Sequence, residues 1–311
     1  MMESVKLQHT EDHVLHSEHV GQDFHLWIGR PVAGFAPSKA PPVPLWVLDG
    51  DLFFGTAVET TRLMHQLYGE LPPILVIGVA YGTDDPRLQG ELRTRDFTPT
   101  ADARWTEGGR SANPDWQPLL PEGRRMGRAD VFLRFLLEEA RPYVAARFET
   151  ASDQATLFGS SMGGLFAAWV ALSEPDAFRH VIAVSPSLWW DDAIVLKLEE
   201  KLARQRDDLP GKLFLGVGGL EEPEHLPFVA RYKLISNVRT LAERLESRGY
   251  PSLDVQAQVL EGETHTSVPL VGLTRGLRAF LRGVPPAMPG SGPRATTVDG
   301  AGGDDGGAVA G

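Results

Sequence analysis

The segment Leu157-Phe158-Gly159-Ser160-Ser161-Met162-Gly163-Gly164-Leu165-Phe166 carries the clearest chemistry in the chain. A short apolar run meets a glycine-flanked serine and continues into an alanine-rich stretch of helical character. Gly159-Ser160-Ser161-Met162-Gly163 has the Gly-x-Ser-x-Gly spacing of a nucleophile elbow. A strand that reverses directly into a helix strains the backbone of its apex residue, so the atoms around it must be small. Gly159 and Gly163 remove side chains that would collide, which leaves Ser161 Oγ standing above the sheet. The following helix N-terminus offers unpaired N–H groups and a positive dipole end, both suited to a developing oxyanion.

A serine is a poor nucleophile unless a base lies within hydrogen-bond reach and an acid orients that base. On sheets that carry such an elbow, the chain order is nucleophile, acid, histidine. Of the nine histidines, His180, His225 and His265 follow Ser161. His180 precedes an apolar strand, on the side of the sheet away from the elbow. His225 lies in the charged loop Glu221-Glu222-Pro223-Glu224-His225. His265 follows the last expected strand, at the sheet edge where open α/β sheets place their sites, and is the expected base. Glu221, after Leu215-Gly216-Val217-Gly218-Gly219-Leu220, is the expected acid, with Glu222 and Asp191 or Asp192 as alternatives. An oxyanion hole needs two backbone donors. Met162, next to the nucleophile, supplies one, and Gly50 or Asp51, after the strand Leu45-Trp46-Val47-Leu48, supplies the other.

These side chains need a scaffold, and the hydrophobic pattern describes one. His13 to Val20 and Asp23 to Gly29 alternate around Gly21-Gln22, which predicts an antiparallel N-terminal hairpin at a sheet edge. Apolar runs at Leu45 to Leu48, Ile74 to Ile77, Ala155 to Phe158, Val181 to Val184, Lys212 to Val217 and Leu253 to Leu260 read as strands. Helices are expected near Phe54 to Tyr68, Arg128 to Phe148, Ser161 to Ser173, Asp192 to Gln205, Val229 to Arg248 and Val268 to Leu281. The longest helix candidate, from Arg128, presents Val131, Phe132, Phe135, Leu136, Ala140 and Val144 on one face, and Pro142 should kink it. Such alternation predicts an α/β fold with a mostly parallel central sheet and helices on both faces.

The 311 residues divide into one expected domain, 1–283, and a Gly-, Pro- and Asp-rich tail, 284–311, expected to be disordered. Residues 82–127 fit no simple element; they read equally as a lid or binding insertion and as a structural excursion over the sheet edge. With 30 basic and 41 acidic residues the net charge is −11, which argues against a nucleic-acid partner. The chain has no cysteine, so disulfides, thiolate metal sites and a cysteine nucleophile are excluded. No apolar run approaches membrane-spanning length and Met1 to Lys6 lacks the apolar core of a secretory signal, so a cytoplasmic location without membrane partners is expected. The sequence leaves the oligomeric state undefined.

Taken together, several motifs resemble the esterase D branch of the α/β-hydrolases, which includes siderophore trilactone esterases, feruloyl esterases and mycolyltransferases. They are Leu48-Asp49-Gly50-Asp51, Arg95-Asp96-Phe97-Thr98-Pro99-Thr100, Gly127-Arg128-Ala129-Asp130, Gly159 to Gly164, Ser185-Pro186-Ser187-Leu188-Trp189-Trp190, Gly218-Gly219-Leu220-Glu221 and His265. The siderophore-esterase-like members are the nearest in pattern. The resemblance implies an α/β-hydrolase fold and hydrolysis of a small-molecule carboxylic ester through an acyl-enzyme, with no metal or organic cofactor. An acyltransferase using the same triad, or a silent binding protein on the same scaffold, are the alternatives. Product analysis with an added acceptor separates the first, and a fluorophosphonate probe the second.

Trp189, Trp190 and Tyr81 at strand ends would suit an aryl or catecholate ester. Arg95, with Arg87 and Arg93, has the forked donors to grip an anionic substrate, although salt bridges with Asp84, Asp85 and Asp96 are the commoner fate of such arginines. His13, His16 and His19 have metal-like spacing, but in a strand His16 points away from the other two.

Overall fold

Four strands are buried at every position, and they form the centre of an eight-stranded sheet. The computed structural model describes residues 6–34, 40–67, 69–102 and 126–282. Within them the strands are β1 (Thr10–Ser17), β2 (Gln22–Gly29), β3 (Val43–Val47), β4 (Ile74–Ala80), β5 (Thr156–Ser160), β6 (His180–Val184), β7 (Gly211–Gly218) and β8 (Leu253–Leu260). Their order across the sheet is β1-β2-β4-β3-β5-β6-β7-β8. β1 and β2 pair antiparallel, as do β2 and β4; every other pair is parallel. Strands β3 to β6 are covered on both faces, which is why they read as continuous apolar runs instead of alternating ones. The edge strands β1 and β8 are only partly buried.

The helices are α1 (Gly50–Gln66), α2 (Pro86–Phe97), α3 (Ala129–Arg134), α4 (Arg141–Ala145), α5 (Met162–Ser173), α6 (Trp190–Leu202), α7 (Pro227–Ala230), α8 (Leu234–Arg248) and α9 (Val268–Leu281). α1 and α9 contribute Ala57, Val58, Leu273 and Leu277 to the core on one face, with Leu45, Val47 and Phe158 of the sheet. α3, α5, α6 and α8 contribute Phe132, Leu165, Val195 and Val238 to the other, with Leu26, Trp46 and Leu157. Gly272 and Gly276 bring α9 unusually close to the sheet. A Cβ on Gly272 would lie 2.5 Å from Val184 Cγ2, and one on Gly276 2.6 Å from Ile182 Cγ2. That close seating holds α9 against β6, and His265 stands in the turn just before this helix.

Three differences from the sequence-based expectations have local causes. α2 lies in the stretch that fits no simple element; Asp85 caps it by accepting from the Arg87 and Leu88 amides, and Pro86 is its first residue. The helix expected from Arg128 to Phe148 is interrupted by a π-helical segment, Phe135–Ala140, just before Pro142. Proline supplies no N–H to the preceding turn, and the wider turn takes up that defect. The helix expected from Asp192 begins earlier, at Trp190, and is kinked in its first turn, where Asp191, Asp192 and Ala193 have positive φ. Trp105, Trp116 and the 284–311 tail lie outside the described residues.

Candidate active site

The candidate residues sit on loops at the C-terminal tips of β3, β5, β6, β7 and β8, at one edge of the sheet. Ser161 joins β5 to α5 with φ 57° and ψ −116°, a region that costs a non-glycine residue strain. The elbow is held by its neighbour strand: Ser161 N donates to Val184 O at 3.0 Å, and Ser187 N donates to Ser161 O at 3.0 Å. The tight turn also explains Gly159, since a Cβ there would lie 2.2 Å from Gly163 O.

Ser161 Oγ is 3.1 Å from His265 Nε2, and His265 Nδ1 is 2.5 Å from Glu221 Oε2. Glu221 has no exposed side-chain surface, whereas the His265 side chain is 44% exposed and open to an incoming molecule. A carboxylate at Nδ1 holds the ring proton there, which leaves the Nε2 lone pair facing the serine. The loops that carry Glu221 and His265 are also joined directly: Gly219 N donates to Leu260 O at 2.8 Å and Leu220 N to Glu263 O at 3.0 Å.

The second oxygen of Glu221 takes two donors, Gly218 N at 2.7 Å and the hydroxyl of Ser185. Ser185 is fully buried with φ 44°, just past β6. Sequence reasoning missed it, because nothing in Ser185-Pro186-Ser187 announces that its hydroxyl crosses to the next strand tip. Hydrogen bonds to a charged group contribute about 1.5–3 kcal/mol. Because the Gly218 donor remains, Ser185→Ala is expected to lower kcat only about tenfold. Steady-state kinetics of the variant check this; an unchanged kcat would show that Gly218 alone suffices.

The alternatives for the acid have other partners. Glu222 accepts from Ser236 N at 2.8 Å and Ser236 Oγ at 2.6 Å, anchoring the first turn of α8. Asp191 accepts from Thr100 Oγ1 at 2.6 Å, and Asp192 pairs with Lys197. Among the other histidines, His225 is exposed. His180 is buried at the start of β6, beside Thr156 Oγ1 at 3.2 Å, and desolvation lowers its pKa to about 4.

Met162 and Gly50 are the first residues of α5 and α1, so their N–H groups have no partner within their helices. The Asp51 carboxylate accepts from Tyr81 N at 2.8 Å and Gly82 N at 3.1 Å, tying the start of α1 to the end of β4.

The residues expected to touch substrate divide. Arg95 is bidentate to the buried Asp96, at 2.7 and 2.8 Å, and Tyr81 Oη donates to Asp96 at 3.2 Å. Burial, with the Asp96 charge beside it, pushes the Tyr81 phenol well above its ordinary pKa. Trp190 is buried, with Nε1 donating to Thr100 O at 2.9 Å. These three side chains are engaged with the protein itself. Trp189 is half-buried, and its ring centroid lies 4.8 Å from that of Tyr232, contributed from beyond β7. Arg93 does not meet Asp84, Asp85 or Asp96; it pairs with Asp49. His13, His16 and His19 pair with different carboxylates, Glu11, Asp23 and Glu138. Among the described residues no group of three or more His, Cys, Asp or Glu could hold a metal ion, and no helix is long and apolar enough to cross a membrane.

A mostly parallel eight-stranded sheet with an antiparallel N-terminal hairpin, helices on both faces and a serine on the strand-to-helix turn defines an α/β-hydrolase. The chain belongs to the Esterase family, described as "Putative esterase", whose model matches residues 17–256. It is 30% identical over 281 residues to the ferri-bacillibactin esterase BesA of Bacillus subtilis, covering 88% of this chain and 89% of that protein. It is 27% identical over 266 residues to the siderophore triacetylfusarinine C esterase of Aspergillus fumigatus, covering 78% and 83%. Among solved structures, the BES protein from Bacillus cereus superimposes with a TM-score of 0.74 at 28% identity, covering 91% of this chain and 100% of that one. The protein is accordingly a carboxylic ester hydrolase.

Proposed function

We propose that the protein is a serine esterase that cleaves the ester bonds of a siderophore through an acyl-enzyme, with Ser161 as nucleophile, His265 as base and Glu221 as the acid. The observation that carries this reading is the continuous chain from Ser161 Oγ to His265 Nε2 and from His265 Nδ1 to Glu221, assembled from three strand tips.

His265 Nε2 takes the proton from Ser161 Oγ as that oxygen attacks the ester carbonyl. The imidazolium so formed is stabilised by Glu221, whose charge is held by Ser185 and Gly218. The Met162 amide and that of Gly50 or Asp51 receive the carbonyl oxygen as it becomes negative. His265 then returns the proton to the leaving alkoxide, the acyl group remains on Ser161, and a water deprotonated by the same histidine releases the acid.

The substrate class rests on the relatives' names, ferri-bacillibactin esterase and triacetylfusarinine C esterase. The half-buried Trp189, packed on Tyr232, is suited to an aromatic ring. A fluorophosphonate probe is expected to label Ser161, read by peptide mass spectrometry. Purified protein should also hydrolyse ester-linked siderophores with a higher kcat/KM than p-nitrophenyl acetate. Labelling at another residue would remove the nucleophile assignment; a preference for the simple ester would remove the siderophore assignment and leave the esterase.

A further inference from the structure

We propose that Arg93 is a positioning residue for the oxyanion side of the site, acting through Asp49 on the loop that carries Gly50. The inference rests on the catalytic reading above, in which this loop supplies one of the two oxyanion donors.

Asp49 is fully buried and has φ 52° and ψ 50°, a left-handed conformation that is uncommon outside glycine, though aspartate adopts it more readily than most residues. Its carbonyl accepts from Leu52 N at 2.9 Å and Phe53 N at 3.0 Å, so it opens α1. Its carboxylate receives both arms of Arg93, from Nε at 2.8 Å and Nη2 at 2.9 Å. The arginine reaches across from α2, an element that has no other role in the triad. The same carboxylate also borders the elbow: a Cβ on Gly163 would lie 3.1 Å from Asp49 Oδ2, the oxygen that Arg93 Nη2 meets. Gly50 itself is wedged against β4, where a Cβ would be 3.0 Å from the carbonyl carbons of Gly78 and Val79.

The ion pair therefore belongs to one of the two segments that must present converging N–H groups and borders the other. A bidentate guanidinium fixes both the distance and the plane of its carboxylate, which a single ammonium cannot do. With the fork intact, Asp49 holds its left-handed turn and the Gly50 amide has one orientation. Without it, the loop relaxes and a donor that works only in the transition state is displaced. Such a loss appears in kcat and leaves KM largely unaltered.

Two variants test this against the parent enzyme on p-nitrophenyl acetate, with Ser161→Ala measured alongside. Arg93→Lys keeps the charge and loses the fork. The double variant Asp49→Asn/Arg93→Gln leaves no buried charge unpaired, which protects the fold. The expected kcat losses are roughly tenfold for Arg93→Lys and roughly 10²-fold for the double variant, with KM within about threefold and folding intact by circular dichroism. A kcat within about twofold of the parent for Arg93→Lys overturns the proposal, and this variant decides alone if the double one does not fold. A loss that appears in KM instead of kcat also overturns it. Turnover by Ser161→Ala would sink the catalytic reading instead, whatever the arginine variants do.

Discussion

Replacing Ser161 with alanine is expected to lower kcat for ester hydrolysis by on the order of 10⁶-fold and to leave the fold intact. The size follows from the proposed mechanism, in which Ser161 and His265 act as one unit: His265 Nε2 lies 3.1 Å from Ser161 Oγ, and without that oxygen no acyl-enzyme forms. Stability is spared because alanine and serine meet the same backbone strain at φ 57°, and the hydrogen bonds that hold the elbow use only its main chain. Ser160, the last residue of β5, is the internal control. It is buried, and Ser160→Ala is expected to keep most of the activity. Turnover of p-nitrophenyl acetate and thermal unfolding, measured on both variants, check the pair of expectations. Retained turnover in Ser161→Ala would falsify the assignment.

Glu221→Gln is expected to reduce kcat by about 10³–10⁴-fold, far more than Glu222→Gln. Charge loss is only part of the cause; the rest is the geometry of the donors around the carboxylate. One oxygen faces Gly218 N–H and the Ser185 hydroxyl, so a glutamine places its carbonyl oxygen there. Its NH₂ then points at His265 Nδ1, where the carboxylate oxygen was. The imidazole must accept at Nδ1 and carry its proton on Nε2, facing the serine with a donor in place of a base. Glu222 meets Ser236 instead, and an amide can still accept from its N–H and hydroxyl. Glu222→Gln should therefore change kcat by less than about twofold. Steady-state kinetics of both variants decide; equal losses, or the reverse order, would move the acid by one residue.

The sheet was legible because each buried strand is an unbroken apolar run and each crossover carries its own helical period. Which histidine meets Ser161 was legible for a topological reason, since His265 is the one that follows the last parallel strand. α2 was less visible: its interior is polar, Arg87 to Asp96 offering only Leu88 and Leu92 as aliphatic residues, although the Asp85-Pro86 start signal was present. The Arg93 partner of Asp49 and the Ser185 hydroxyl on Glu221 were not legible at all. Arg93 lies 44 positions from Asp49, and Ser185 36 positions from Glu221. Pairings at that separation depend on how the loops cross above the sheet, and no local pattern encodes them. Tyr81, Arg95 and Trp190 illustrate the converse. Their types suit ligand binding, but Asp96 and Thr100 are the groups they meet.

The placement of His265 has a thermal meaning. It stands in the turn after β8, an edge strand, which is paired on one side by β7 and is only partly buried along its length. Edge strands open at lower free energy than the strands they border. The serine, by contrast, is rooted between two fully buried strands. On the proposed mechanism, fraying at one margin of the molecule separates His265 from a serine whose surroundings stay ordered, and the enzyme falls silent while most of its sheet is still folded.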